Sequence, residues 1–254
     1  MFPYRDENPT YLKPIVTLGI IALNALVWLA VQGAGTYPAL ARSVCELGAI
    51  PGELLGTVAP GTAVPVGPGL TCQLTGEPPW YTIVSSMFLH GGWFHIIGNM
   101  WFLWVFGNNI EDAMGHGRFV GFYLLCGVLA ALAQVFASPN SPVPMVGASG
   151  AISGIMGAYL VLYPRVRVHT LVFLGFFVTT IAVPAYFMLL YWAFLQFVSS
   201  VLTAGAGSEG GVAFVAHLGG FVAGAALIRL FAKREFVSRH RRPRIVVTPP
   251  LDRF

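Results

Sequence analysis

The sequence has few charged side chains: only 9% of its 254 residues are Asp, Glu, Lys or Arg, whereas 56% are hydrophobic. A typical soluble domain carries about a quarter charged residues, so this chain lacks the polar surface that water requires. A soluble fold of this composition would expose large apolar patches, and lipid is the solvent that suits it. The composition therefore excludes an ordinary soluble domain and predicts an integral membrane protein.

Cysteine is also scarce, with three residues in the whole chain. Cys45 and Cys72 lie in a long polar segment, and Cys126 lies in an apolar one. Their number and spacing do not indicate a metal site, and we expect neither a metal nor another cofactor. If the polar segment faces an oxidising compartment, a Cys45–Cys72 disulfide is one interpretation. Two unpaired thiols are the other, because spacing alone does not establish the geometry of a disulfide.

Long apolar stretches recur along the chain, and each bilayer crossing needs about 20 such residues. We therefore predict an all-α polytopic bundle of six transmembrane helices. The shorter apolar stretch 168–182 is interpreted as an interfacial or re-entrant segment that enters the fifth helix, with a separate short crossing as the alternative. The six predicted crossings are 14–33, 93–110, 118–137, 147–164, 183–203 and 211–232.

The distribution of basic residues predicts the orientation, since Lys and Arg mark cytoplasmic loops. With both termini inside, only Arg42 of the fourteen Lys and Arg residues lies outside. The orientation is thus predicted to be N-in and C-in. The basic C-terminal tail suits the anionic cytoplasmic leaflet, so we expect the lipid bilayer rather than nucleic acid as its partner.

Three regions follow from this topology. Residues 1–13 are a cytoplasmic polar lead, 14–235 form the membrane domain, and 236–254 form a basic tail predicted to be disordered. The membrane domain includes an outer loop, 34–82, that is rich in Gly and Pro and contains at most a short helix near Ala39–Leu47. The first apolar run shows no clear cleavage site and is interpreted as a retained anchor.

Polar side chains at membrane depth need a reason, because a buried polar group in lipid is costly. His95 and Asn99 are four residues apart and share one face of the second helix. Ser149 begins the fourth helix, and His217 lies early in the sixth. Helices two, four and six all run from outside to inside, so these four residues are predicted to lie at one depth, in the outer half of the bilayer.

The glycines of helices four and six allow these residues to meet, since small residues let helix backbones approach closely. His217 can then act as the base that activates the Ser149 hydroxyl. His95, Asn99 and the Ser149 amide can stabilise an oxyanion. Acidic residues are missing at this depth, which indicates a Ser–His dyad rather than a triad.

Each element also has an ordinary structural interpretation. A lone serine in a membrane helix usually bonds back to its own backbone, and Ser153 is predicted to do so. A lone histidine is more often a structural donor, and His95 with Asn99 could simply join helices. These interpretations weaken because the four polar residues coincide at one depth.

Taken together, the motifs resemble those of rhomboid intramembrane serine proteases of the six-helix bacterial type, over residues 14–232. The resemblance rests on three motifs and one upstream histidine: His90, the pair His95-x3-Asn99, the GxSG motif Gly147-Ala148-Ser149-Gly150, and Ala216-His217-x-x-Gly220. GxSG alone is weak, since soluble hydrolases share it, but the combination is specific.

The resemblance implies a role for each matched position. Ser149 is implied to be the nucleophile and His217 its base, with His95, Asn99 and the Ser149 amide lining the oxyanion hole. The outer loop is implied to be embedded in the membrane and the fifth helix to be a substrate gate. Some family members carry an aromatic residue at the position of Ser153, so another side chain must hold the His217 ring. The structural support is implied to come from His90, Gly147, Gly150, Gly154 and Gly220.

The implied activity is cleavage of transmembrane protein substrates near the outer end of their helices. From the compact six-helix form we expect the plasma membrane of a bacterium. Two alternatives stay open at this point. A catalytically inactive rhomboid-like protein that binds transmembrane helices would share the packing features. A transporter would favour paired charges or inverted repeats near the midplane, and the sequence has neither. The sequence leaves the oligomeric state and the physiological substrate open.

Overall fold

The structure is a computed structural model that describes residues 2–67, 70–174, 177–205 and 214–241. It is mostly helical. The helices are α1 (Ile15–Ala30), α2 (Ala39–Leu47), α3 (Pro51–Leu54), α4 (Thr82–Ser85), α5 (Trp93–Met114), α6 (His116–Ala137), α7 (Ser149–Leu162), α8 (Ala185–Gly205), α9 (Phe214–Phe231) and α10 (Arg234–Arg241). The strands are β1 (Phe2–Asp6), β2 (Ala63–Gly67), β3 (Leu70–Gln73), β4 (Arg167–Leu174) and β5 (Phe177–Pro184).

Six of these helices, α1 and α5 to α9, lie at the six predicted apolar stretches. Three of them, α6, α8 and α9, are long and apolar enough to cross a membrane by length and hydropathy. Helices α1 and α7 are apolar but shorter. These helices support an integral membrane protein.

Helix α7 lies at the centre of the bundle, with α5, α6 and α9 packed around it. Its residues from Ala151 to Tyr159 are all buried. Aromatic rings of α5 and α6, among them Phe106 and Tyr123, complete the same core. The helix that begins at Ser149 is therefore held on several sides by other helices, which limits the positions that its first residues can take.

The prediction of an all-α fold is wrong in two regions, the sheet formed by β1, β4 and β5 and the hairpin β2–β3 of the outer loop. Residues 168–182 were interpreted as an interfacial or re-entrant segment of a helical bundle, but the described ones, 168–174 and 177–182, belong to the antiparallel pair β4–β5. The N-terminal strand β1 adds to β4, so that the sheet has the order β1-β4-β5. The residue types of this stretch, Val, Thr, Ile and Phe, suit a pleated strand, and the fold supplies the partners with which the strands pair. The polar lead at 1–13 thereby gains a strand.

The outer loop 34–82 contains more structure than its composition indicates. The short helix α2 has the predicted bounds, Ala39–Leu47. A disulfide joins Cys45 in α2 to Cys72 in β3. The hairpin β2–β3 and the buried side chains around Cys72 form a separate small core. Of the two interpretations of these cysteines, the structure has the disulfide.

Two acidic residues at the end of α5 tie the beginning of the chain to the bundle. Glu111 accepts hydrogen bonds from the backbone amides of Val16 and Thr17, at 2.9 and 2.8 Å, in the first turn of α1. Asp112 accepts from the amide of Tyr11 at 2.7 Å. Carboxylates are favourable at a helix N-terminus because the first amides lack partners there. Glu111 and Asp112 therefore have a structural role.

The tail also differs from expectation at its start. Residues 236–241, predicted to be disordered, belong to α10, whose Val237 is buried. The helix is held because the amide of Lys233 donates to the carbonyl of Ala113 at 2.9 Å. The rest of the tail, 242–254, and most of the Gly-rich connection predicted at 204–211 lie outside the described residues.

Candidate active site

Ser149 is the first residue of α7, directly after a glycine turn. The backbone of Gly147 has a φ of +130°, and a Cβ built there would lie 2.8 Å from Nε2 of His95. Both the conformation and the space therefore require glycine at position 147. At the N-terminus of a helix the first amides have no intrahelical partner, so the Ser149 N–H is available to an anion.

His217 lies in the first turns of α9, and its ring reaches Ser149. The distance from Nε2 of His217 to Oγ of Ser149 is 2.7 Å, within hydrogen-bond range. Nδ1, the other ring nitrogen, lies 2.7 Å from Oε1 of Gln196 in α8. The ring also packs against Trp192, with the ring centroids 6.0 Å apart. Two side chains from α8 thus hold the imidazole where Ser153 does not.

The backbones of α7 and α9 come into direct contact next to these two residues. A Cβ at Gly220 would lie 2.0 Å from the carbonyl oxygen of Gly150, and one at Gly224 would lie 1.8 Å from that of Gly154. On its other side Gly154 faces Cys126 of α6, 2.5 Å from an added Cβ. No side chain fits in these gaps. The predicted supporting glycines therefore let the two helices approach, and this approach sets the distance between Ser149 and His217.

His95 and Asn99 lie on α5 and line the same cavity as Ser149 and His217. The amide of Gly91 donates to Nδ1 of His95 at 3.2 Å. Because Nδ1 is the acceptor, the proton of the neutral ring sits on Nε2, which faces Gly147 and Ser149. Asn99 is buried, and within the described part of the chain its Nδ2 has no hydrogen-bond partner. Two N–H donors therefore lie beside the serine.

His90 lies in the segment before α5 and is fully buried, with its ring edge-on to that of His95. Gln32, two residues after the end of α1, forms two hydrogen bonds with the backbone of His90. The Gln32 amide donates to the His90 carbonyl at 2.9 Å, and its Oε1 accepts from the His90 amide at 2.8 Å. Burial lowers the pKa of His90 to about 3, with a further contribution from His95, so the ring is neutral. His90 contacts His95 rather than the serine.

The cavity that contains these residues has a volume of about 1090 Å³. Its walls come from the start of α5, the connection at 138–146, and the facing sides of α7, α8 and α9. Gln134 of α6 also lines it, and its Oε1 accepts from the amide of Ala216 at 3.2 Å, just before His217. Ser153 donates to the carbonyl of Ser149 at 2.6 Å, the backbone bond predicted for it. Among the described residues no three His, Cys, Asp or Glu side chains cluster as a metal site.

All the predicted site residues gather in this region. Sequence reasoning missed the glutamines that hold the histidines and the helix ends, together with one aromatic ring. The glutamines had a signal in the sequence, since an amide in an apolar stretch is a costly polar group in lipid, as is the serine that was noticed. The missed residues are Gln32, Gln134, Trp192 and Gln196.

The chain is similar to proteins of one family. A model of the rhomboid domain matches residues 77–234. The rhomboid protease GluP of Bacillus subtilis is 38% identical over 89 residues, which cover 35% of this chain and 17% of GluP. The putative rhomboid protease YdcA of the same species is 28% identical over 162 residues, covering 63% of this chain and 69% of YdcA.

Another relative is a plant protein whose name places it in the chloroplast. Rhomboid-like protein 11, chloroplastic, of Arabidopsis thaliana is 29% identical over 168 residues, covering 61% of this chain and 54% of that protein. The chain therefore spans from about a sixth to about two thirds of the length of these three relatives. Two of the three carry the word protease in their names, and one is called only rhomboid-like.

Proposed function

The chain belongs to the rhomboid family, whose domain model covers more than half of its 254 residues, and on that premise we propose that it is an intramembrane serine endopeptidase with Ser149 and His217 as its catalytic dyad. The resemblance read from the motifs is thus confirmed at the level of the family. The single observation that carries the proposal is the 2.7 Å distance between Oγ of Ser149 and Nε2 of His217. Such a contact is what a base needs to activate a serine hydroxyl.

The reaction follows from the positions of the protons. Oγ of Ser149 attacks the scissile carbonyl carbon while Nε2 of His217 takes the hydroxyl proton. The carbonyl oxygen becomes an oxyanion, and its collapse breaks the C–N bond as His217 returns the proton to the leaving amine. Water then attacks the acyl-serine ester, again with His217 as the base, and releases the new carboxylate and the free Ser149 hydroxyl.

The oxyanion is assigned to the donors beside the serine. These are the Ser149 amide at the start of α7, the Nε2–H of His95, and the Nδ2 amide of Asn99. Support comes from the hydrogen bond that leaves Nε2 as the protonated nitrogen of His95. The buried and unpartnered Nδ2 of Asn99 gives further support, because a buried donor without a partner is costly unless a ligand uses it.

The membrane arrangement we propose has six crossings, α1 and α5 to α9, with both termini in the cytoplasm. It is supported by the positions of these helices and by the Lys and Arg residues outside them. The cavity then opens towards the outer side, where water reaches the dyad. Transmembrane protein substrates enter from the lipid and are cleaved near the outer end of their helices. We place the protein in the plasma membrane of a bacterium, as the similarity to two Bacillus proteases favours.

A single serine substitution tests the proposal. The wild-type chain, reconstituted in liposomes, should cleave a transmembrane reporter and react with a fluorophosphonate probe. Ser149→Ala should lose both reactions, since no other hydroxyl faces Nε2 of His217 in the described structure. Ser238→Ala is the matched control, because its exposed hydroxyl only bonds the carbonyl of Glu235 in α10.

The result also separates a protease from an inactive helix-binding relative. Labelling or cleavage that persists in Ser149→Ala contradicts the assignment of the nucleophile. A wild-type chain that binds the reporter but neither labels nor cleaves it identifies an inactive rhomboid-like protein.

A further inference from the structure

The ring of His217 has two nitrogens, and both have hydrogen-bond partners. Nε2 contacts the serine, and Nδ1 lies 2.7 Å from Oε1 of Gln196, a residue 21 positions earlier in the chain. An amide oxygen can only accept, so the proton of a neutral ring must sit on Nδ1. Nε2 is then the bare nitrogen that faces the Ser149 hydroxyl. This is the tautomer that a general base requires.

Gln196 is an amide side chain in a mostly apolar helix. Helix α8 is apolar, and aromatic and aliphatic side chains cover its exposed face, among them Phe194, Leu195 and Phe197. An amide in such a helix is costly unless it finds a partner. Gln196 is partly buried and turned towards α9, away from these exposed residues.

A second side chain on the same face acts on the same ring. Trp192 precedes Gln196 by four residues, so both project from one side of α8. Its indole packs at 6.0 Å from the His217 ring and also at 6.0 Å from Phe221, one turn further along α9. The indole of Trp192 thus packs against the ring of His217, while the amide oxygen of Gln196 holds its Nδ1.

From these contacts we propose that Gln196 is a positioning residue that selects the Nδ1–H tautomer of His217 and adds a third, hydrogen-bonded member to the Ser149–His217 pair. It occupies the place that a carboxylate has in a Ser–His–Asp triad, but it brings no charge into the bilayer. As the imidazolium forms, the amide oxygen keeps its bond to Nδ1–H. The inference rests on the proposed protease function, but its structural core, the tautomer, can be measured without catalysis.

The test compares wild type with Gln196→Met, which keeps the side-chain length but removes the acceptor. Nitrogen NMR of ¹⁵N-histidine-labelled protein should show Nε2 as the unprotonated nitrogen of His217 in wild type. In Gln196→Met a measurable fraction should move to the other tautomer. With a transmembrane reporter, kcat should fall about tenfold with KM nearly unchanged, since one neutral hydrogen bond of ordinary strength is worth about that factor.

Two further variants separate positioning from packing. Leu195→Met introduces the same side chain at the preceding, exposed residue and should leave the tautomer and kcat as in wild type. Gln196→Glu keeps an acceptor and should retain the Nδ1–H tautomer and kcat to within about threefold. If Gln196→Met does not fold, the Glu variant decides the test. The Nδ1–H tautomer in Gln196→Glu supports the inference, and loss of that tautomer overturns it.

An unchanged tautomer and kcat in folded Gln196→Met overturn the inference, and so does a folded Gln196→Glu variant as slow as the Met variant. Failure of the proposed function looks different. In that case the wild-type chain does not cleave the reporter, whereas the NMR comparison still decides the role of Gln196.

Discussion

The contact between α7 and α9 can be tested by adding one methyl group. Gly220 follows His217 by three residues, and a Cβ built there lies 2.0 Å from the carbonyl oxygen of Gly150, the residue after Ser149. Real Cβ atoms essentially never come closer than 3.0 Å to such a neighbour, and here the neighbour is backbone. Gly220→Ala must therefore move the two helices apart locally by about 1 Å, the difference between these distances.

This separation would lengthen the contact between Ser149 on α7 and His217 on α9. The Ser149–His217 hydrogen bond is 2.7 Å long, and 1 Å more takes it out of hydrogen-bond range. A misplacement of about 1 Å costs about 100-fold in rate, so we expect kcat to fall by at least that factor. Overpacking also lowers the free energy of unfolding by about 1–3 kcal/mol, which is less than a typical domain can lose before it unfolds.

The assay is reporter cleavage in liposomes, normalised to folded enzyme, with thermal unfolding and the rate of fluorophosphonate labelling measured in parallel. Gly117→Ala in α6 is the matched control, because a Cβ there meets nothing within 4 Å. The reasoning is refuted if folded Gly220→Ala cleaves within about threefold of wild type. It is also refuted if the control loses as much activity as the Gly220 variant.

Two predictions concern the neighbouring residues on and before α5. Asn99→Ala should lower kcat by about 10²–10³ with little change in KM, because an oxyanion donor acts in the transition state; an equal loss of folded protein would instead make Asn99 structural. The folded pKa of His90, about 3, lies below the ordinary 6.5. The unfolded chain therefore binds more protons between these values, and stability should fall as pH is lowered through that window, by up to about 1.4 kcal/mol per pH unit. His90→Phe removes this component, so equal pH slopes for both proteins in urea unfolding would contradict the buried neutral histidine.

Much of the candidate site could be predicted, because polar side chains within apolar stretches are costly in lipid and are easily found in the sequence. In a chain with 9% charged residues, a serine, two histidines and an asparagine inside apolar stretches are conspicuous. Helix direction then predicts that they lie at one level, which needs only the order of the elements. The same reasoning located α1 and α5 to α9, since apolar length is a local property.

Other features could not be predicted from local pattern. The stretch 168–182 was interpreted as an interfacial or re-entrant segment before the fifth helix, but its described residues pair with each other and with Phe2–Asp6 of the polar lead. Strand pairing depends on which partners the fold brings near, and the polar lead gave no sign of a strand. The start of the tail likewise becomes helical where it packs on the end of α5.

The sequence by itself determined that the chain enters lipid, where its long apolar helices lie, and which polar side chains are candidates for the chemistry. These follow from composition, apolar length and the cost of a polar group in hydrocarbon, all of which are written along the chain. Only the tertiary structure decided what holds the His217 ring. Gln196 and Trp192 reach it from a neighbouring helix, and a contact between helices depends on their rotation and distance, which no single stretch of sequence contains.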